Sequence, residues 1–299
     1  MKYDVVVLTD SRYLKDSSDP YYHNVFYEDA LVCDALLSEG MKVNRKAWND
    51  PLFDWSNTKA IMFRTTWDYF DDFTKFSKWL KQVSQVTTLI NSEATIHWNI
   101  DKHYLQDLRN KGVHIAETLF IKQGTKTSLE ELHEETKWNT AVLKPCISGA
   151  ARHTYKLNAD NVLKHETIFQ ELIAHEAMML QPFQHKIVSE GEVSMMVFNG
   201  QFTHAILKKA KPGDFRVQDD FGGTVHDYIP TQAEIEFAIS AVNACKELPL
   251  YARVDIFNDN DGKIALAELE LIEPELWFRN NPNAANVLAK ATKEKLSLL

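Results

Sequence analysis

The sequence predicts an α/β protein whose C-terminal part has α+β character, and three observations support this class. Short apolar segments alternate with helical ones in the first third of the chain, which is typical of βαβ units and a parallel sheet. Later apolar segments are joined by short turns such as Asn199-Gly200, which favour antiparallel hairpins. The chain has 299 residues, enough for several subdomains. We therefore predict an N-terminal domain at 1–97, a middle lobe at 98–185 and a C-terminal lobe at 186–299.

The N-terminal domain is predicted to contain a parallel sheet. Its strands are expected at 5–9, from 42, at 59–63 and at 88–90, and its helices at 26–38 and 73–83. Gly40 is a stop signal for the first helix. Because ligands bind at the carboxyl ends of parallel strands, the residues after the third strand are candidates for substrate binding: Arg64, Thr65, Trp67 and Asp68. A structural alternative, an Arg64–Asp68 pair beside a packed Trp67, stays open.

The middle lobe is predicted to contain a loop that can hold phosphates. Strands are expected at 113–120, 140–144, 155–157 and 178–182, and helices at 100–111, after Ser128 and at 158–171. Glu131 follows Ser128 at the spacing of a capping box. Lys144 ends a strand and precedes the small, polar loop 147–151, which can place backbone N–H groups on phosphate oxygens while the lysine supplies charge. We expect 147–153 to be mobile without nucleotide and ordered with it.

The C-terminal lobe contains the most informative segment of the sequence. Hairpins are expected at 192–198 with 201–208 and at 251–255 with 267–273, a polar loop at 212–228, and helices at 234–245 and from 283 onwards. Side chains alternate faces along a strand, so Glu268 and Glu270 point the same way and Asp255 can lie alongside them. Three carboxylates with no basic residue among them repel one another unless a cation lies between them. Such oxygen ligands suit Mg²⁺ together with substrate phosphates.

Two other interpretations of these carboxylates stay open. Acidic positions on a strand most often form a solvated face. The second interpretation is a calcium-binding loop, because four positions of the EF-hand consensus are matched by Asp259, Asp261, Gly262 and Glu268. However, the first ligand position would be Phe257, which has no oxygen, and the flanking segments resemble strands rather than helices.

Composition and missing motifs argue against several classes of protein. The net charge of −9 and the lack of a long basic segment disfavour binding to nucleic acid. No apolar segment approaches the ~20 residues that span a membrane, and 1–8 resembles a first strand rather than a signal peptide. Cys33, Cys146 and Cys245 form no CxxC pair, so we expect neither a zinc knuckle nor a disulfide framework, and a cytoplasmic location. The sequence has no P-loop, GxGxxG, GxSxG or HExxH motif, and its 11 histidines are scattered.

Several individually weak motifs follow one another along nearly the whole chain. They are 64–69 (RTTWDY), 98–105 (WNIDKHYL), 144–145 (KP) with 148–150, 181–183 (QPF) with 191–192, Lys208, 212–216 (PGDFR), 222–223, 251–255 (YARVD) and 268–271 (ELEL). In this order they resemble the ATP-grasp superfamily, and most specifically its glutathione synthetase-like ATP-binding domains and the O-ureido-serine cyclo-ligase-like proteins of cycloserine biosynthesis. The resemblance implies an ATP-grasp fold, with a parallel-sheet N-terminal domain and two α+β lobes that clamp ATP.

The resemblance also implies roles for individual residues. ATP phosphates would be bound by Lys102 and Lys144 with Ser148, Gly149 and Ala150, adenine by Gln181, Pro182 and Phe183, and ribose by Glu192. Two Mg²⁺ ions would be bound by Asp255, Glu268 and Glu270, and the reacting groups by Lys208, Arg216 and Arg253, with Gly222 and Gly223 as further substrate candidates. Glutathione synthetases usually carry Asn at the position of Glu270, and their phosphate loop is richer in glycine.

The implied activity is that of an ATP-dependent carboxylate–amine ligase. It would form C–N bonds on a small amino-acid-like or peptide substrate through an acyl phosphate. An ATP-grasp small-molecule kinase, a non-catalytic nucleotide-binding module and a periplasmic-type binding protein are the alternatives. Homodimers are common in the superfamily, so a homodimer is also expected.

Overall fold

Three β-sheets organise the computed structural model, which describes residues 1–15, 17–149, 152–217 and 222–298. The first sheet is parallel, whereas the second and third are antiparallel. The mixed fold class expected from the sequence is therefore confirmed. One sheet lies within each of the ranges 1–97, 98–185 and 186–299, although the domain boundaries themselves stay a prediction.

The N-terminal part alternates strands and helices as expected. Its elements are β1 (Tyr3–Thr9), α1 (Pro20–Ser38), β2 (Val43–Ala47), β3 (Thr58–Thr65), α2 (Phe73–Val83) and β4 (Thr88–Ile90). The strand order is β2-β1-β3-β4. The predicted start of α1 at Phe26 is wrong. The helix begins at Pro20, because the Asp19 carboxylate accepts the backbone N–H of Tyr21 and proline suits the first helical turn.

The middle part contains a four-stranded antiparallel sheet and four short helices. Its elements are α3 (Glu93–Ile100), α4 (Tyr104–Asn110), β5 (Leu119–Ile121), α5 (Leu129–Thr136), β6 (Thr140–Pro145), β7 (Tyr155–Asn158), α6 (Glu166–Ile173) and β8 (Met178–Pro182), with strand order β5-β8-β6-β7. The capping box of Ser128 and Glu131 is confirmed at the start of α5.

Three predicted boundaries in the middle part are wrong. The helix predicted at 100–111 is interrupted, because Asp101 is extended with φ −103° and ψ 120°, and this interruption places Lys102 between α3 and α4. The strand predicted at 113–120 is shorter, because Ile115 forms only an isolated bridge to Leu266. The helix predicted at 158–171 begins at Glu166, because the Asn158 side chain accepts the backbone N–H groups of residues 160 and 161 and forms a turn.

The C-terminal part contains the five-stranded sheet that carries the carboxylates. Its elements are α7 (His185–Glu190), β9 (Glu192–Phe198), β10 (Gln201–Lys209), β11 (Thr224–Tyr228), α8 (Gln232–Asn243), β12 (Tyr251–Asn258), β13 (Ile264–Glu270) and α9 (Asn283–Ser297), with strand order β11-β10-β9-β12-β13. The segment predicted to be a loop at 212–228 ends in a strand, β11. This strand pairs with β10, with Tyr228 opposite Ala205 and Thr224 opposite Lys209. α7 was not predicted, because its six residues are too short for a clear helical period.

Packing between the parts holds the sheets in place. α9 lies against α1, and Leu288 shares a buried cluster with Val32 and Leu36. α4 packs through Leu105 and Leu108 into the cluster beneath the five-stranded sheet. Among the residues described, no helix has the length and apolar character needed to cross a membrane.

Candidate active site

One cavity of about 250 Å³ lies between the middle sheet and the five-stranded sheet. It brings together all of the predicted nucleotide, metal and catalytic residues that the structure describes: Lys102, Lys144, Ser148, Gly149, Gln181, Pro182, Phe183, Glu192, Lys208, Arg216, Arg253, Asp255, Glu268 and Glu270. Ala150 lies outside the described residues. Positions scattered over the last two thirds of the chain therefore converge on one cavity.

The carboxylates of the β12–β13 hairpin form one face of the cavity. Asp255 is directly opposite Glu268, and Arg253 is directly opposite Glu270, so pairing register and side-chain alternation act as expected. Asp255 is only 2% exposed, which shows that this is not a solvated face. The calcium-loop interpretation also fails, because Asp259 accepts the backbone N–H groups of the hairpin turn and the flanks are strands.

Basic side chains lie among the carboxylates, contrary to the sequence-based expectation. Lys102 Nζ is 2.8 Å from Glu268, and Lys208 Nζ is 3.2 Å from Asp255. Arg253 Nη2 is 2.8 Å from Asp255 and also contacts Glu270. Only Arg253 comes from the same hairpin, so chain folding rather than local sequence supplies the other two cations.

The charges of this cluster are unevenly balanced. The pKa of Glu270 is raised to about 7, mainly by burial; Arg253 opposes this shift, whereas the neighbouring Glu268 and Asp255 add to it. Burial also raises the pKa of Asp255, but Arg253 and Lys208 outweigh it and hold that pKa at about 2. The carboxylates thus still repel one another despite the cations, and a divalent cation coordinated by them would relieve this repulsion. The donor set fits Mg²⁺.

Lys102 and Lys144 approach the cavity from different elements. Lys102 lies in the connection between α3 and α4, and its Nζ donates to the backbone carbonyl of Ser148 at 2.7 Å. Lys144 ends β6, and burial lowers its pKa, with Glu268 opposing this effect. In contrast to Lys102, Lys144 makes no ion pair within the described residues. A cation of this kind in a cavity fits an anionic ligand such as a phosphate.

Replacing Lys144 by methionine is expected to weaken ATP binding at least about tenfold, because the phosphates would lose a charge contact in a partly desolvated site. Titration calorimetry on the purified variant measures this change. Lys122→Met is the matched control, since Lys122 is an exposed lysine just after β5 and does not line the cavity. An unchanged dissociation constant for Lys144→Met would make Lys144 a strand-end lysine without a role in binding.

The predicted adenine and ribose positions lie along the edge of the cavity. Gln181 Nε2 donates to Thr118 Oγ1 at 2.9 Å, and the backbone N–H of Phe183 donates to the carbonyl of Thr140 at 2.9 Å. The Phe183 N–H is therefore already hydrogen-bonded within the protein. Pro182 has no backbone N–H and donates no such bond. The Lys156 ammonium lies 3.8 Å from the centre of the Phe183 ring.

Glu192 is held at the start of β9 by a conformation that requires glycine. Gly191 has a φ of +100°, and a Cβ there would lie 2.6 Å from the carbonyl oxygen of Lys208. Glu192 pairs with Lys208 Nζ at 2.6 Å, and burial raises its pKa while Lys208 opposes this effect. Lys208 thus bridges the predicted ribose residue and the predicted metal ligand Asp255.

Arg216 lines the cavity and is also braced by its own loop. Its Nε and Nη2 donate to the two carboxylate oxygens of Asp214 at 3.1 and 2.8 Å. The Asp214 carboxylate also accepts the backbone N–H of Arg216 at 3.0 Å. This hydrogen bonding raises the pKa of Arg216 and lowers that of Asp214. The bracing interaction is therefore present, and the catalytic role stays a prediction.

The phosphate loop and the paired glycines are only partly described. Residues 150 and 151 and residues 218–221 lie outside the described ranges. Arg152 donates to the Ile147 carbonyl and forms an ion pair with Glu176, so part of the loop is tied to the middle lobe. Gly222 and Gly223 precede β11 and do not line the cavity. The predicted ordering of 147–153 by nucleotide stays a prediction.

The predicted substrate residues lie at the end of β3 and directly after it, and they do not line the cavity. Two of them attach the N-terminal sheet to the segment that follows β13. Arg64 is 1% exposed and donates to the carbonyl of Pro274 at 2.8 Å. Trp67 Nε1 donates to the carbonyl of Glu273 at 2.9 Å. The motif therefore holds the segment at 273–274, a few residues after the predicted metal ligand Glu270.

The other two predicted substrate residues of this motif form hydrogen bonds within the N-terminal part. Thr65 Oγ1 contacts Thr9 Oγ1 at 2.6 Å and donates to Asp29 at 3.0 Å. Asp68 accepts the indole N–H of Trp48 at 2.7 Å, and burial raises its pKa. The alternative of an Arg64–Asp68 pair is wrong, because Arg64 binds a backbone carbonyl instead. Substrate binding by these residues stays a prediction.

Two polar residues near the carboxylates were missed by the sequence-based interpretation. Ser194 lies opposite Asp255 on β9 and donates to its carboxylate at 2.5 Å. The sequence signal that could have identified Ser194 is its position two residues after Glu192, because residues two apart on a strand lie on the same face. Glu273, three residues after Glu270, has a pKa raised to about 8 by burial, with Glu270 adding to the shift and Tyr69 opposing it. No local pattern marks Glu273 as buried.

Comparisons with known proteins place the chain among nucleotide-binding ligases. Residues 105–271 match a family model described as a RimK-like ATP-grasp domain, and residues 5–91 match one described as the N-terminal domain of D-cycloserine synthetase DcsG. The cycloserine biosynthesis protein DcsG of Streptomyces lavendulae is 27% identical over 292 residues, which cover 90% of this chain and 94% of that protein.

Solved structures agree with these matches. The crystal structure of D-cycloserine synthetase DcsG has a TM-score of 0.85 at 26% identity, covering 98% of this chain and 99% of that chain. The ATP-grasp ligase PsnB, complexed with a variant of its minimal precursor, Mg and ADP, has a TM-score of 0.66 at 15% identity over 99% of both chains, and shares the fold alone.

The matched range 105–271 is more than half of the chain and includes the predicted phosphate, ribose and metal positions from Lys144 to Glu270. The ATP-grasp fold, the use of ATP and the ligase class expected from the sequence are confirmed. The chain therefore belongs to the RimK-like ATP-grasp family and is an ATP-dependent ligase that forms C–N bonds.

Proposed function

We propose that this ligase joins the carboxylate of a small amino-acid-like or peptide substrate to an amine through an acyl phosphate. The observation that carries the proposal is the arrangement of Asp255, Glu268 and Glu270 on one sheet face opposite Lys144 in a single cavity. Carboxylates for Mg²⁺ and cations for phosphate oxygens are the two components that phosphoryl transfer from ATP needs.

Each wall of the cavity has a distinct role in this proposal. Lys102 and Lys144, with Ser148 and Gly149, hold the phosphates. Gln181, Pro182 and Phe183 face adenine, and Glu192 faces ribose. Asp255, Glu268 and Glu270 hold two Mg²⁺ ions, which would neutralise phosphate charge when bound. Lys102 and Arg253 must then exchange part of their present ion pairs for phosphate or substrate contacts.

The chemistry follows from these positions. The substrate carboxylate attacks the γ-phosphorus, ADP leaves, and an acyl phosphate forms. The amine then attacks the acyl carbon, phosphate leaves, and the amine proton passes to a base or to water. Lys208, Arg216 and Arg253 are the cations suited to the charge that develops on the carboxylate and phosphate oxygens. Positioning and charge stabilisation account for most of the rate enhancement in such transfers.

The substrate class is supported by the relatives. D-cycloserine synthetase, by its name, makes D-cycloserine rather than a macromolecular product. The net charge of −9 agrees with a small-molecule partner rather than nucleic acid.

A cytoplasmic location suits the unpaired Cys33, Cys146 and Cys245. We also propose a homodimer and the three domains at 1–97, 98–185 and 186–299.

Hydroxylamine trapping is expected to separate this function from its alternatives. A panel of amino acids and dipeptides is screened for ATP-dependent ADP release, and the active substrate is then incubated with hydroxylamine in place of the amine. A ligase yields a hydroxamate, because hydroxylamine attacks an acyl phosphate. A kinase would release ADP and yield a stable phosphorylated product without hydroxamate. A non-catalytic module would release no ADP above the no-substrate control.

A further inference from the structure

A second group of potential metal ligands lies outside the predicted Mg²⁺ site. Asp101 and His103 are in the connection between α3 and α4, and Cys146 directly follows β6. A carboxylate oxygen, an imidazole nitrogen and the Cys146 Sγ all lie within 4.8 Å of one another. The CxxC-type spacing of zinc knuckles does not reveal this group, because Cys146 lies more than forty residues after Asp101 and His103 in the sequence.

Backbone hydrogen bonds fix the group. The N–H of Lys102 donates to the carbonyl of Cys146 at 2.9 Å, and the N–H of Cys146 donates to the carbonyl of Ala177 at 2.9 Å. His103 Nδ1 is 2.6 Å from the Asp101 carboxylate, and the His103 ring stacks on Phe120 with centres 4.4 Å apart. The three side chains are thus held together by contacts that do not depend on a ligand.

Access and chemistry both suit a metal ion. Cys146 is fully buried, whereas the side chains of His103 and Asp101 are 44% and 41% exposed, so an ion can enter from their side and meet the sulfur beneath. A tetrahedral zinc site places its ligand atoms about 3.5 Å apart, and the separations here, none above 4.8 Å, require small side-chain adjustments to reach that geometry. Burial, with Asp101 adding, raises the pKa of the Cys146 thiol to about 12, so metal binding must displace the thiol proton and is expected to strengthen as the pH rises.

The nearby lysine does not occupy this group. The Lys102 ammonium is directed to Glu268 and to the Ser148 carbonyl, away from its neighbours Asp101 and His103. A sulfur ligand favours zinc-like cations over Mg²⁺, which prefers oxygen ligands. We propose that Asp101, His103 and Cys146 bind a zinc-type divalent cation, with water as the fourth ligand, at a site separate from the Mg²⁺ carboxylates. The ion would lie next to Lys102 and the phosphate loop.

Cobalt binding tests the proposal with a readout that carboxylate sites cannot produce. The full-length chain is titrated with Co²⁺ in excess Mg²⁺, which keeps the hard carboxylates filled. We expect a near-ultraviolet thiolate-to-cobalt charge-transfer band that saturates at one Co²⁺ per chain and disappears when Zn²⁺ is added. Cys146→Ser should remove the band, whereas Cys245→Ser, a second partly buried thiol, should keep it.

Two further variants keep the test decisive if Cys146→Ser fails to fold. Asp101→Asn and His103→Gln retain the thiol and should each weaken Co²⁺ binding about tenfold or more, because each removes one ligand. His97→Gln is the control, since His97 is exposed and pairs with Glu93. No charge-transfer band in the wild-type chain, a band that survives in folded Cys146→Ser, or unchanged affinity in both ligand variants would overturn the site. None of these outcomes depends on ligase activity.

Discussion

Glu268→Gln is expected to abolish turnover while leaving the fold intact. Glu268 lies opposite Asp255 in the hairpin, is partly exposed to the cavity, and pairs with Lys102 at 2.8 Å. The amide has the same shape but no charge, so it removes a metal ligand and leaves Lys102 without its anionic partner. We expect a rate loss on the order of a thousandfold or more, because both the metal and the phosphate contacts are disturbed.

Three measurements on this variant separate catalysis from stability. ADP release with the substrate found in the screen gives the rate, thermal unfolding gives the stability, and Mg²⁺-dependent ADP binding reports directly on the metal site. Glu171→Gln is the matched control, since Glu171 is an exposed glutamate on α6. A wild-type rate for Glu268→Gln would rule out Glu268 as a metal ligand.

Arg216→Lys is expected to lower turnover about a hundredfold while ATP affinity survives. Lysine keeps the positive charge but loses the planar fork that can hold a carboxylate and the acyl phosphate that replaces it. A loss of this size is within the range for a removed transition-state donor. ADP release, calorimetric ATP affinity and melting temperature are measured on the same protein.

Asp214→Asn distinguishes this role from bracing of the loop. Both Arg216 hydrogen bonds to the Asp214 carboxylate are part of the brace, so Asp214→Asn weakens the brace but keeps the guanidinium. If Arg216 acts on the substrate, the rate falls in Arg216→Lys and is largely retained in Asp214→Asn. If it only braces the loop, both variants lose stability and neither shows a specific loss of rate, and the proposed acyl-phosphate contact would be wrong.

Local features of the structure were predicted from the sequence more successfully than long-range features. α2, β4, β8 and β9 begin and end at the predicted residues, because hydrophobic period, strand alternation and turn residues act over a few positions. The capping box at Ser128 followed from the same kind of local rule. Some errors arose where a side chain redirected the backbone, as Asp19 does before α1 and Asn158 does at the end of β7. Others concerned short elements, such as α7 and β11, which have no clear hydrophobic period.

The candidate site shows the same division. Alternation along β12 and β13 was sufficient to place Asp255, Glu268 and Glu270 on one face, and the order of motifs was sufficient to indicate ATP. The cations among these carboxylates could not be predicted, because Lys102 and Lys208 reach them from α3–α4 and from β10. The motif at 64–69 was likewise predicted to bind substrate from its position at the end of a strand. In the structure, Arg64 and Trp67 instead donate hydrogen bonds to the segment after β13.

By itself, the sequence determined the mixed α/β class, the course of most strands, the carboxylate face and the ATP-grasp ligase assignment, since each depends on short-range periodicity or on the order of motifs. Only the tertiary structure decided which charges neutralise one another, that Arg64 and Trp67 anchor the end of β13, and that Asp101, His103 and Cys146 meet. The physical reason is that hydrogen bonds and ion pairs depend on distances of about 3 Å, and residues distant in sequence reach such distances only after the sheets have packed.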